Sequence, residues 1–140
     1  MDDWSIGTIL LAYDDSQGAR AAARLATSLA RKNGARIVVV TAFHWSYSLD
    51  AMGGQAKREA EEAETLVSRA VDDLKTMGIE ATADVLEGQA GEAILRSAET
   101  NKADLIVVGR RGHGLTASLL LGSVSEYVVR RAKVPVLVAH

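Results

Sequence analysis

Short runs that are apolar at nearly every position alternate along this chain with longer stretches that are apolar on one face only. Residues 6–13 (IGTILLAY), 37–43 (IVVVTAF), 105–108 (LIVV) and 134–139 (VPVLVA) are the apolar runs, and residues 80–86 (EATADVL) alternate more. All are read as strands, because runs with no polar face are what a parallel sheet covered by helices on both sides produces. Residues 17–33 carry Leu25 and Leu29 among many alanines and stop at Asn33-Gly34, a helix-ending pair. Residues 51–77 are rich in Glu, Ala, Lys and Arg, repeat Leu66, Ala70 and Leu74 at spacing four, and stop at Gly78. Residues 89–101 gather Ala90, Ala93, Ile94, Ser97 and Ala98 on one helical face, and residues 122–132 do the same with Val124, Val128 and Ala132. Strands alternating with helices in this way predict a single α/β domain over residues 1–140, with right-handed crossovers. Pro135 offers no ladder donor, so the last strand is predicted at a sheet edge.

Composition changes the picture in a few places. With 140 residues, 48% hydrophobic, the chain buries a core without staples. It has no cysteine, which excludes disulfides, thiolate zinc sites and cysteine nucleophiles. Sixteen basic against eighteen acidic residues leave a net charge of -2, which argues against bulk nucleic-acid binding. Arg20, Arg24, Arg31, Lys32 and Arg36 are the candidate basic patch and are read as a solvated helix surface, as is the charge run over residues 57–64 (KREAEEAE). No apolar run approaches the ~20 residues of a membrane helix, and Met1-Asp2-Asp3-Trp4 lacks the layout of a signal peptide. The expectation is a cytoplasmic protein away from the membrane. His44, His113 and His140 are scattered, so no protein-built metal site is expected.

The candidate chemistry sits in loops. Open α/β sheets bind ligands beyond the carboxyl ends of their strands. One such loop is Asp14-Asp15-Ser16; the other runs Gly109, Arg110, Arg111, Gly112, His113, Gly114, Leu115, Thr116. Its glycines let backbone N–H groups approach a ligand and take positive φ. Gly122 and Ser123 then open a helix that Ser123 is expected to cap, and a helix N-terminus suits an anion. This is a candidate phosphate cradle, to which Arg110 or Arg111 adds charge; a plain connecting loop is the alternative. It is not a P-loop, since no Gly-Lys-Ser/Thr follows. The loose G-x-G-x-x-A match at residues 112–117 lacks the acidic partner expected about 20 residues on, where Val134 stands. Ser123 is not in a G-x-S-x-G elbow, so acyl transfer through Ser123, His113 and Asp14 is not expected. Trp45 and Tyr47, before Met52-Gly53-Gly54, are read as loop aromatics over the sheet end, with a lid as the alternative.

Gly109-x2-Gly112-x9-Gly122-Ser123, flanked by residues 103–108 (ADLIVV), 120–128 (LLGSVSEYV) and 134–138 (VPVLV), resembles the nucleotide-binding motif of the universal stress protein family. Residues 9–16 (ILLAYDDS) resemble that family's first strand and acidic turn, and the likeness covers essentially the whole chain. The resemblance implies a five-stranded parallel sheet in the order 3-2-1-4-5 with helices on both faces, a Rossmann-like fold of the adenine nucleotide alpha hydrolase-like kind. It places the chain with the ATP-binding members of the family. Ala12, Tyr13 and Asp14 would meet adenine and ribose, Asp14 accepting from a ribose hydroxyl. Ala42 and Val108 would line the base pocket, while Gly109, Gly112, Gly122, Ser123, Val124 and Ser125 would hold ribose and phosphates through amides and hydroxyls. Arg111 is counted with them. Magnesium would come with ATP, held by phosphates and water. Asp15 stands where many members have glycine, adding negative charge near a polyphosphate. The family's members also pair as homodimers through the last strand, here Val134 to Ala139, with Val134, Val136 and Val138 on one face. The function so implied is a nucleotide-dependent stress-response or signalling module. A slow ATPase and a nucleotide-free dimeric interaction protein are the alternatives; no base for rapid phosphoryl transfer is evident beside the glycine loop.

Overall fold

The computed structural model describes residues 3–44, 54–110 and 121–140. The element order is β1 (Thr8–Ala12), α1 (Gln17–Asn33), β2 (Arg36–Phe43), α2 (Gln55–Thr76), β3 (Ala81–Glu87), α3 (Ala90–Thr100), β4 (Leu105–Gly109), α4 (Ser123–Arg131) and β5 (Val136–Ala139). The strands form one five-stranded sheet in the order β3-β2-β1-β4-β5, every pairing parallel. The expected α/β fold and strand order are the observed ones, and β5 lies at the sheet edge as expected.

Alternate residues of the buried strands point to opposite faces, and each face has its own core. Ile9, Leu11, Ile37, Val39, Leu105 and Val107 pack under α1 and α2. Leu10, Val38, Val40, Ile106 and Val108 pack under α3 and α4. Both faces are therefore covered, which is why these runs show no polar alternation.

Helix α1 starts where Ser16 Oγ accepts from Ala19 N at 3.1 Å and ends at Gly34, a left-handed cap at φ 64. Its buried face is Ala19, Ala21, Ala22, Ala26 and Ala30, whereas Leu25 is 40% exposed. Leu29 packs against this core from its margin, and alanine fills the rest, because the helix lies close on the sheet. Element ends differ from expectation by one to a few residues, most usefully in three elements. β1 is shorter at both ends than residues 6–13, and Gly7 N bonds Asp104 Oδ2 at 2.8 Å instead of a strand. β5 begins at Val136, one residue past the proline. Helix α2 begins at Gln55, with Gly54 as N-cap.

The amino-terminal end of the sheet is tied by side chains. Asp104 Oδ2 accepts from Gly7 N and Thr8 N, at 2.8 and 2.9 Å. Arg36 donates to Thr8 Oγ1 at 3.0 Å and to Asn101 O at 3.2 Å. Arg36 therefore belongs to the fold, not to the exposed basic surface formed by Arg20, Arg24, Arg31 and Lys32. Among the described residues, no helix is long and apolar enough to cross a membrane.

Candidate functional site

Three strand ends meet at the other end of the sheet. After β1 the chain makes a tight acidic turn. Tyr13 N donates to Val40 O at 3.0 Å, carrying the β1–β2 pairing one residue further. Asp14 Oδ1 accepts from Ser16 N at 3.1 Å, closing a side-chain turn. Asp15 sits in the left-handed region at φ 61, where aspartate is tolerated better than most residues.

After β4, Arg110 N donates to Ala139 O at 2.7 Å and Arg110 O accepts from Gly122 N at 2.7 Å. Ser125 Oγ bonds the same carbonyl at 2.8 Å. Helix α4 is thereby stitched directly to the end of β4. Its N-cap is Gly122, in extended backbone with no side-chain cap, and Ser123 is its first residue. The expectation that Ser123 caps α4 is corrected: a serine one position further in has helical backbone and cannot serve as the cap. Glu126 N bonds Gly122 O at 2.9 Å, so the amides of Ser123, Val124 and Ser125 precede the first intrahelical bond and point outward along the axis.

A cavity of about 230 Å³ lies between these two turns. Its acidic corner is Ala12, Tyr13, Asp14 and Ser16, from the end of β1. Its apolar wall is Val40, Ala42, Ile94 and Val108, with Thr41 beside them. Its remaining side is Gly109 and the start of α4, from Gly122 to Ser125, with Ala19 at the back. Ala12, Tyr13, Asp14, Ala42, Val108, Gly109, Gly122, Ser123, Val124 and Ser125, named from the sequence, are thus brought to one cavity. Arg111 and Gly112 lie outside the described residues, as do His113, Trp45 and Tyr47. Ser16, from the candidate loop Asp14-Asp15-Ser16, also lines the cavity, whereas Ala19, Val40, Thr41 and Ile94 were missed. Thr41 and Val40 could have been found from the register, since Ala12 pairs with Val40; Ile94 reaches in from α3 and carries no local signal.

Two expected roles take a different form. Gly109 is not at positive φ; a Cβ there would stand 2.4 Å from the Gly18 carbonyl carbon and 2.6 Å from its oxygen. This glycine lets α1 sit against β4. Ser125 is buried and its hydroxyl is engaged with the Arg110 and Gly122 carbonyls, so the hydroxyl serves the seat of α4. Neither Asp15 nor Arg110 lines the cavity. Asp15 borders a second groove of about 600 Å³ along α2, and Tyr13 is common to both. Tyr13 OH donates to Asp15 Oδ1 at 3.1 Å. Burial, then this bond, raises the phenol above its ordinary value. No group of three or more metal-type ligands occurs among the described residues.

A parallel sheet with a cleft where the strand order turns back, bordered by an acidic turn and a helix N-terminus, defines an open, doubly wound α/β domain. The model of the universal stress protein family matches residues 5–140, and the chain belongs to that family. A universal stress protein of Thermus aquaticus, encoded in the QAH/OAS sulfhydrylase 3' region, is 43% identical over 137 residues, 95% of this chain and 98% of that protein. The solved structure of UspA from Lactobacillus plantarum superimposes with a TM-score of 0.85 at 23% identity, covering 99% of this chain and 100% of the other. A universal stress protein crystallised in complex with cAMP matches with a TM-score of 0.72 at 28% identity, over 97% of this chain and 98% of the other.

Proposed function

We propose that this protein binds an adenine nucleotide, ATP with its magnesium ion in the cell, in the cavity between the β1 turn and the start of α4. The observation that carries the reading is the pairing, within one cavity, of an apolar slot with a helix N-terminus whose first amides are unbonded within the helix. The slot of Ala12, Val40, Ala42, Val108 and Ile94 suits a flat base. The Asp14 carboxylate, held by Ser16 N, suits a ribose hydroxyl. The amides of Ser123, Val124 and Ser125 and the α4 dipole suit phosphate oxygens. Glu126 in that first turn is paired with Arg130 at 2.8 Å, which tempers its repulsion of an anion. A magnesium ion would be held by the phosphates and water. The related protein crystallised with cAMP supports an adenine nucleotide as the ligand class.

The base and phosphate positions rest on backbone and small side chains, which suits a sensor better than a fast catalyst. Nucleotide would act by favouring one state of the loops or of a homodimer formed through Val134 to Ala139, a cytoplasmic signal read by another component. The test is to denature the purified chain and identify any released nucleotide, then to titrate nucleotide-free protein with Mg-ATP and with cAMP by calorimetry. Micromolar binding that Gly122→Val abolishes supports the reading. No heat up to millimolar nucleotide overturns it.

A further inference from the structure

Asp15 occupies a position that glycine would fill without strain. Its φ of 61 is left-handed, and its neighbours already complete the turn: Asp14 Oδ1 holds Ser16 N, and Ser16 Oγ caps α1. The turn itself therefore does not call for a carboxylate at this position. What the carboxylate does is accept the Tyr13 hydroxyl at 3.1 Å. Tyr13 is the one residue that the 230 Å³ cavity and the 600 Å³ groove share among their described linings. Its ring also packs on the core face under α1 and α2. The side chain stands between two open spaces, packed on the core along its ring and hydrogen-bonded at its far end by Asp15.

We infer that Asp15 is a positioning residue: through the Tyr13 hydroxyl it fixes the ring as the wall between cavity and groove, and so pre-orders the site for an adenine nucleotide. The inference rests on the nucleotide reading above. It also accounts for an acidic residue beside an anion site, since Asp15 lines the groove and not the cavity, with its carboxylate turned to the phenol. Two opposite expectations follow. As a bare charge, Asp15 repels nucleotide, and its removal tightens binding. As a positioning residue, its removal frees the ring and weakens binding.

The experiment titrates Mg-ATP and cAMP into the full chain carrying Asp15→Gly, Asp15→Asn, Tyr13→Phe, or Asp15→Gly with Tyr13→Phe. Asp15→Gly suits the backbone and removes the acceptor; Asp15→Asn removes the charge but keeps an acceptor oxygen and tolerates the left-handed backbone. Asp15→Gly and Tyr13→Phe are each expected to weaken binding about threefold to tenfold, the worth of one pre-ordered side chain. The double variant should weaken it no further, and Asp15→Asn should retain or improve affinity. Ultraviolet titration of the phenol, which needs no nucleotide, should show Tyr13 ionising at lower pH in Asp15→Gly than in the unaltered chain. If Asp15→Gly and Asp15→Asn both tighten binding, or both leave it unchanged, or if the two single losses add, the positioning role is overturned. If the unaltered chain binds neither ligand, the nucleotide reading itself fails and this role with it.

Discussion

Single residues at the ends of β1 and β4 set the geometry of the cleft. Gly109 is the clearest case, because the space for its missing Cβ is filled by Gly18 backbone atoms at 2.4, 2.6 and 2.8 Å. Backbone does not swing aside as a side chain does. Gly109→Ala should cost about 1–3 kcal/mol, seen as a lower midpoint in urea unfolding with unchanged slope. Tyr13 gives a pH prediction. Burial comes first among the causes raising its phenol, then the Asp15 hydrogen bond; the Asp15 and Asp73 charges act in the same direction and Arg20 opposes them. The folded pKa lies above the unfolded one, so the protonated phenol is favoured by folding. That contribution is fully present below the ordinary value near 10 and is lost as pH rises through the folded pKa. Comparing alkaline unfolding of the unaltered chain with Tyr13→Phe should show a smaller loss of stability in the variant over that window.

At the scale of elements, caps and cross-ties decide how firmly each helix sits. Ser16 is 5% exposed and its hydroxyl accepts from Ala19 N. Ser16→Ala should remove about 1 kcal/mol and lower the melting temperature by a few degrees. Helix α3 is tied to the edge strand β3 by Ser97, 1% exposed, whose hydroxyl donates to Asp84 Oδ2 at 2.6 Å, with Asn101 Nδ2 joining at 3.3 Å. Ser97→Ala leaves that carboxylate short of a close donor, and a loss of about 1.5–3 kcal/mol is expected, read by denaturant unfolding. Elements were the most legible level of the sequence. Helix α1 matches residues 17–33 at both ends because Ser16 and Asn33-Gly34 are strong local signals. Its inward face was harder to read, because alanine shows in a helical pattern only as an absence of polarity. The Ser97–Asp84 tie was illegible, since a strand aspartate finds its partner only when α3 packs beside β3.

For the whole molecule, strand order decides where ligand and partner can meet it. The order β3-β2-β1-β4-β5 gathers the ends of β1, β2 and β4 at one point and, among the described residues, leaves β5 with no strand on its outer side. The carbonyls of Pro135 and Ala139 face β4, accepting from Ile106 N and Arg110 N. In a parallel ladder the alternate residues, Val136 and Val138, then turn their N–H and C=O groups outward. Val138→Pro removes one outward donor without touching the β4 ladder, so it should convert a β5-paired homodimer to monomer in sedimentation, with the fold kept by circular dichroism. A dimer that survives uses another face. The cleft was legible from the sequence where backbone forms it, at Ala12 to Asp14 and at Gly122 to Ser125. It was not legible where a distant element reaches in, as Ile94 does, or where a glycine serves packing.

The contact between Gly109 and Gly18 also bears on descent. Any residue larger than glycine at 109 drives its side chain into the Gly18 backbone, so this glycine is kept by packing alone. A descendant that bound no nucleotide would still be held to Gly109 by the seat of α1 on β4. In a lineage, the first glycine of the motif records the fold whether or not a ligand is kept.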